Sequence, residues 1–111
     1  MLYNYAAAIE RIVDGDTIDA TISLGFRIYH KGRLRMYGID TPERGQPGWA
    51  EATAHLTNLI PVGTQVTLRS YKPELHPKAD SFGRWLVEIF IGGMNVNEAM
   101  LASGHAVEYS R

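Results

Sequence analysis

Residues 17 to 24 alternate between apolar and polar side chains, with Ile18, Ala20, Ile22 and Leu24 on one parity. That period belongs to a strand with one face against a core and the other against water. Asp14-Gly15-Asp16 stands just before it and is a tight-turn signal of the hairpin kind. The chain must therefore open as antiparallel β structure. Tyr3 to Val13 is the expected partner strand, although Ala6, Ala7 and Ala8 weaken it as a β segment. Phe26 to Tyr29 and Gly32 to Ile39 suggest a further strand or strand pair, and Gln65 to Ser70 and Trp85 to Ile91 two more.

Two segments carry the helical period instead. From Trp49, apolar residues recur at Ala52, Leu56, Leu59 and Ile60, and Pro61 and Gly63 end the run. The second extends from Val96 to Ser103, with Asn95 as a cap, Glu98 at the capping-box position and Gly104 just beyond the end. The order is three strands, a helix, two strands and a helix. It predicts a mainly β fold with two helices: a five-stranded Greek-key barrel with a helix between its third and fourth strands, the OB-fold. A length of 111 residues suits one core, so residues 1–111 are expected to form a single domain. Gly45 to Gly48 and the proline- and charge-rich Lys72 to Phe82 read as loops.

Composition removes several chemistries. There is no cysteine, hence no disulfide, thiolate metal site or cysteine nucleophile. No apolar run reaches the length that spans a bilayer, and no membrane association is expected. Met1 to Val13 lacks a basic stretch followed by an apolar one, so no signal peptide is visible. A cytoplasmic location is the default expectation, and secretion the expectation for a processed mature form. The net charge of -1 argues mildly against a dedicated nucleic-acid-binding module, unless a bound cation and a few placed arginines supply positive charge locally.

The residues with chemical potential fall in two groups. Asp14 and Asp16 flank a glycine in the turn, and Asp40 ends a strand ahead of Thr41, Pro42 and Glu43. If these segments meet, Asp16, Asp40 and the Thr41 carbonyl offer hard oxygen ligands only, which suits Ca2+ or Mg2+ and disfavours Zn2+. Pro42 biases Thr41 towards an extended backbone and so fixes that carbonyl. Alone, each piece is more often a plain turn or strand exit. Arg35 lies in a strand between apolar neighbours, and Arg84 opens the run Trp85-Leu86-Val87. A guanidinium can give a phosphate two parallel hydrogen bonds. Strict alternation puts Arg35 and Asp40 on opposite faces. They converge only if the strand is bulged or kinked, and Gly38 is the expected place. His30, His55, His76 and His105 have no ligand spacing and read as surface or packing residues, while Trp49 and Trp85 are expected in the core.

Four motifs in order then carry a resemblance: Val13-Asp14-Gly15-Asp16-Thr17, Arg33 through Glu43, Phe82-Gly83-Arg84, and Val96-Asn97-Glu98-Ala99-Met100. Together they resemble staphylococcal (micrococcal) nuclease in order and spacing, from about Ile9 to Gly104. The resemblance implies an OB-fold enzyme that uses one Ca2+ to hydrolyse DNA and RNA between phosphorus and the 5′ oxygen, leaving 3′-phosphates. Single-stranded or frayed regions would be favoured, and a monomer is expected. Position by position, it implies Asp16 and Asp40 as carboxylate ligands, Thr41 as a carbonyl ligand and Asp14 as an acid close behind the metal. Glu43 looks like the residue that orients or deprotonates the attacking water, and Arg35 and Arg84 like the phosphate-binding pair. Lys72, Phe82 and Tyr109 are candidate substrate contacts. Phe82 replaces a family tyrosine, and Tyr109 falls out of register with the family's pocket tyrosines. The rival readings are a non-catalytic OB-fold module for single strands or a protein partner, and a plain calcium-binding module.

Overall fold

The computed structural model describes residues 2–71 and 85–109. Strand β1 (Leu2–Asp14) turns at Gly15 and Asp16 into β2 (Thr17–Ser23), which pairs antiparallel with β3 (Tyr29–Met36). A two-residue strand, β4 (Ile39–Asp40), leads through a loop into helix α1 (Trp49–Leu59). Then come β5 (Gln65–Tyr71), β6 (Trp85–Ile91), β7 (Met94–Asn95), helix α2 (Val96–Ala102) and β8 (Val107–Glu108).

The main sheet runs β3-β2-β1-β5-β6, and β6 returns to pair with β3 in parallel through Leu34–Trp85, Arg35–Leu86 and Met36–Val87. This closes a five-stranded barrel and leaves none of those strands as a bare edge. The fold is the expected OB barrel with two helices. β1 makes closure feasible because it serves two partners. Leu2 to Ala8 pair with β5, Ala7 to Asp14 pair with β2, and the second half carries two register shifts. Ala7 and Ala8 belong to both ladders. The alanine run that looked weak as a strand thus lies where the strand passes from one partner to the other, and pairing on both sides overrides low β propensity.

Ile9, Ile18, Leu34, Met36, Leu68, Val87 and Ile89 fill the barrel, and Ala52, Leu56 and Ile60 of α1 and Val96 and Met100 of α2 complete the core. The end of α1 is pinned to β1: the Gly63 N–H donates to Ile9 O at 2.7 Å and the Ile9 N–H donates to Thr64 O at 3.0 Å. α2 starts as expected, with the Asn95 side chain accepting the Glu98 N–H at 3.1 Å, and Gly104 follows its end at φ 83°. Among the described residues no helix is long and apolar enough to cross a membrane.

Three expectations need correction. Phe26 to Ile28 are not a strand: the Leu24 N–H reaches Ile28 O and the Ile28 N–H reaches Gly25 O. Phe26 and Arg27 both take positive φ, and β3 begins only at Tyr29. Leu24, assigned to the core parity, lies beyond the end of β2 and is half-exposed. Trp85 is 42% exposed rather than core, because Leu86, Val87 and Ile89 supply the buried positions of β6. β4, β7 and β8 are two residues each, too short to leave a period in the sequence. The Lys72 to Phe82 loop and His76 lie outside the described residues.

Asn97 ties the second helix to the barrel. It is buried; its side-chain oxygen accepts the Ile89 N–H at 3.1 Å, and its amide donates to Tyr37 O at 2.9 Å and to Val87 O at 3.1 Å. Asn97→Ala takes the side-chain partner from the Ile89 N–H and Tyr37 O, while Val87 O keeps the Tyr37 N–H at 2.8 Å; the expected loss is roughly 3 kcal/mol, measured as a lowered urea midpoint at unchanged slope.

Candidate active site

The Gly15-Asp16 turn packs against α1 and the start of the following loop so closely that only glycine fits at position 15. A β-carbon there would sit 2.9 Å from Ala52 Cβ and 3.0 Å from Thr41 Oγ1. This close approach delivers the Asp16 carboxylate to a fixed place. Asp16 is buried: Oδ1 accepts the Thr17 hydroxyl at 2.9 Å, and Oδ2 accepts the Thr41 N–H at 3.0 Å. Its own carbonyl accepts the Met36 N–H at 2.8 Å, tying the turn to the end of β3.

Arg35 comes from that strand end, buried although it faces out of the barrel. One guanidinium nitrogen pairs with Asp16 Oδ2, and the other donates to Asp40 Oδ1 at 3.1 Å. The two carboxylates therefore share one cationic group. Asp40 is the more open of them, with a side chain 48% exposed.

The parity conflict between Arg35 and Asp40 is resolved where a bulge or kink was expected. β3 stops at Met36, Gly38 takes φ 79°, and β4 restarts at Ile39, held by β8. The Tyr109 N–H donates to Gly38 O at 2.9 Å. The left-handed residue breaks the alternation, so Arg35 and Asp40 meet despite an odd separation. The same ladder carries Tyr109 to the site, its ring centroid 5.9 Å from the Arg35 guanidinium carbon. A candidate for substrate contact that sequence register left in doubt thus lies against Arg35.

Thr41 is buried, and its Oγ1 has no hydrogen-bond partner among the described residues. Glu43 is exposed two residues on, in a turn closed by Glu43 N–H to Gln46 Oε1 and Gln46 N–H to Glu43 O, both at 2.9 Å. An open pocket of about 580 Å³ lies here, lined by Asp40, Thr41, Pro42, Gln46, Pro47 and His105 among others. Asp14, at the end of β1 before the turn, is held differently: its Oδ1 accepts the Trp49 indole N–H at 2.6 Å. Arg44 stacks over the Trp49 ring at 4.7 Å. Trp49, read from its period as a core residue, is half-buried and anchors an acid at the site rim. His55 and His105 stack on each other with centroids 5.0 Å apart, in keeping with a packing role. Lys72, Phe82 and Arg84 lie outside the described residues.

The structure thus brings Asp16, Arg35, Asp40, Thr41 and Tyr109 into one cluster, while Asp14 is held by Trp49 and Glu43 lies in the exposed turn after Thr41. Sequence reasoning missed Gln46 and Arg44, exposed loop residues with no periodic signal. Among the described residues no three acidic or histidine side chains converge as a ready-made metal cage.

The model of the family described as staphylococcal nuclease homologue matches residues 33–111. The match includes Arg35, Asp40, Thr41 and Glu43 and leaves Asp14 and Asp16 upstream of it. An uncharacterized 38.1 kDa protein of Capnoides sempervirens is 30% identical over 116 residues, 95% of this chain and 32% of that one. A probable staphylococcal-like nuclease of Oryza sativa subsp. japonica is 37% identical over 76 residues, 68% of this chain and 19% of that one. An uncharacterized protein of Bacillus anthracis is 33% identical over 102 residues, 86% of this chain and 44% of that one. The chain spans less than half the length of each of these relatives.

Removing the shared cation should unbalance the corner. Arg35→Met leaves the buried Asp16 carboxylate without its partner, and the expected destabilisation is roughly 3–5 kcal/mol by chemical denaturation. Arg35→Lys should recover part of it, since a point charge restores the attraction but not the two-sided fork.

Proposed function

Because the chain belongs to the staphylococcal nuclease family, we propose that it is a calcium-dependent nuclease. It hydrolyses DNA and RNA at the bond from phosphorus to the 5′ oxygen and leaves 3′-phosphate ends. The observation that supports this best is the convergence of Asp16 and Asp40, from separate segments, on one positive group beside an open pocket. Two carboxylates aimed at a common point suit a cation, and the donor set there is all hard oxygen. A buried Thr41 hydroxyl with no hydrogen-bond partner among the described residues adds to that character. Two protein carboxylates, with no third converging among the described residues, would leave coordination positions for water and substrate, as a catalytic rather than a structural site requires.

In this reading Asp16 and Asp40 hold the ion, with Thr41 adding its carbonyl. When bound, Ca2+ supplies polarisation of a phosphoryl oxygen and brings water close to phosphorus. Asp16 is the rigid half, immobilised by Thr17 and the Thr41 N–H; Asp40 is the solvent-facing half. Glu43, exposed two residues after Thr41, accepts the proton of the attacking water and aims it in line. Arg35, freed from neutralising the acids alone, meets the phosphate and balances the charge that builds on its oxygens. Arg84, by its place in the family motif, is proposed as the second guanidinium, an electrostatic stabiliser of the same charge. Asp14 supports the acidic corner from behind, positioned by Trp49.

A non-catalytic OB-fold module is the second reading, favoured by the net charge of -1. One experiment separates them: denatured DNA is incubated with the protein and Ca2+, then with chelator added. Chelator-sensitive loss of high-molecular-weight DNA is expected, and binding without cleavage would end the nuclease reading. Glu43→Gln should lower turnover about 10²- to 10⁴-fold while leaving Ca2+ affinity by titration calorimetry near normal. Asp40→Asn should weaken that affinity, and an unchanged value would refute its place as a ligand.

A further inference from the structure

The segment from Thr41 to Trp49 is tied at both ends to one short turn. At its start the Thr41 N–H donates to Asp16 Oδ2 at 3.0 Å, and at its end the Trp49 indole N–H donates to Asp14 Oδ1 at 2.6 Å. Asp14 and Asp16 flank Gly15, and a β-carbon on that glycine would meet both Thr41 and Ala52 of α1. The strap and the acidic turn are therefore packed against each other as well as hydrogen-bonded.

Between the two ties lie two tight turns in succession. The Gln46 N–H donates to Glu43 O at 2.9 Å, and the Trp49 N–H donates to Gln46 O at 3.2 Å. The third residue of each is a glycine of positive φ, Gly45 and Gly48, both at 91°. Arg44 and Pro47 stand ahead of them, outside the positive-φ region. That is the type II turn, which needs glycine at its third residue and favours proline at its second. A β-carbon on Gly48 would come within 3.2 Å of Pro42 Cγ, and Arg44 stacks over the Trp49 ring at 4.7 Å. The strap thus folds back on itself and holds a defined shape.

We propose that Gln46, where the two turns join, is a positioning residue for Glu43. The proposal rests on the nuclease reading, in which Glu43 aims the attacking water, and adds what sets that aim.

The Gln46 backbone serves both turns, donating in the first and accepting in the second. Its side chain goes further, because Oε1 accepts the Glu43 N–H at 2.9 Å. Closing the turn does not require this bond. Both residues are exposed, so water could take the same N–H. The added bond makes the pair reciprocal: both backbone polar groups of Glu43 are committed to Gln46, and only its carboxylate is left to act. A backbone N–H can only donate, so the side-chain atom facing it is the amide oxygen. A glutamate at this position could replace that oxygen, and an apolar side chain could not. Gln46 also lines the pocket with Asp40 and Thr41. The residue that fixes the Glu43 backbone therefore borders the same opening as the proposed metal ligands. A base on an exposed loop depends on such fixing, since a displacement of about 1 Å can cost roughly 10²-fold in rate.

The test uses Gln46→Met, which keeps the side-chain length and removes the acceptor, and Gln46→Glu, which keeps the acceptor and removes the amide donor. Each is made in the native chain and in Glu43→Gln. Urea unfolding checks that every variant folds, with Gln46→Ala in place of the methionine variant should that one fail. On oligothymidine at saturating Ca2+, kcat and KM are measured separately, and titration calorimetry reads Ca2+ affinity. Gln46→Met should lower kcat about 10- to 10²-fold, with KM and Ca2+ affinity near native. Gln46→Glu should recover most of that loss. In the Glu43→Gln chain, Gln46→Met should cost nothing further, because a residue that acts through the carboxylate has no effect once the carboxylate is gone. Native kcat in Gln46→Met would overturn the proposal and leave the nuclease reading intact. An undiminished loss in the Glu43→Gln chain would also overturn it, reducing Gln46 to loop integrity alone. A loss in Gln46→Glu as deep as in Gln46→Met would make the amide a direct substrate donor and overturn positioning through Glu43. If the native protein leaves oligothymidine uncut, the nuclease reading fails and the proposal falls with it.

Discussion

A guanidinium shared by two carboxylates organises this molecule's chemistry. Arg35 comes from the end of β3, Asp16 from the β1–β2 turn and Asp40 from β4, and the ion pairs join all three. A buried carboxylate without a partner is strongly unfavourable, and so is a buried guanidinium. Each therefore fixes the others, and the three segments lock at one corner. Stability and chemistry meet in that lock. The attraction that keeps the acids together here is the same attraction a divalent cation and a phosphate would draw on.

The barrel makes the corner possible. Parallel pairing of β3 with β6 places Arg35 beside Leu86 and closes the ring, while the Asp16 carbonyl binds the Met36 N–H. Asn97 then binds both the Tyr37 and Val87 carbonyls where the strand gives way to the turn. The end of β3 is thus held on three sides before it breaks. Gly38 can reverse the direction of the side chains without loosening the site, because the break is local and its flanks are fixed.

Polarity is distributed along the same hairpin. At one end Asp16 and Arg35 are buried and Asp40 is half-exposed; towards the other, Tyr29, Lys31 and Arg33 lie exposed. In a near-neutral chain, local field rather than net charge governs a contact within a Debye length or so.

Sequence alone determined the element order, because alternation over residues 17–24, the helical spacing from Trp49 and the Asn95 cap are local signals that packing reinforced. It also named Asp16, Arg35, Asp40 and Thr41, since their motifs are contiguous. What it could not determine were relations between distant segments. Trp49 and Trp85 carried the period of core residues, yet other side chains filled the core, and Trp49 instead took the Asp14 carboxylate. Phe26 and Arg27 read as strand, yet a tight turn put them in the left-handed region. The meeting of Arg35 with Asp40, and the return of Tyr109 to stand against Arg35, rest on a chain break at Gly38 and a two-residue ladder. A period records which face a residue shows to its own element. Only the closed barrel decides what stands opposite that face, because burial and pairing energies are settled between segments far apart in the chain.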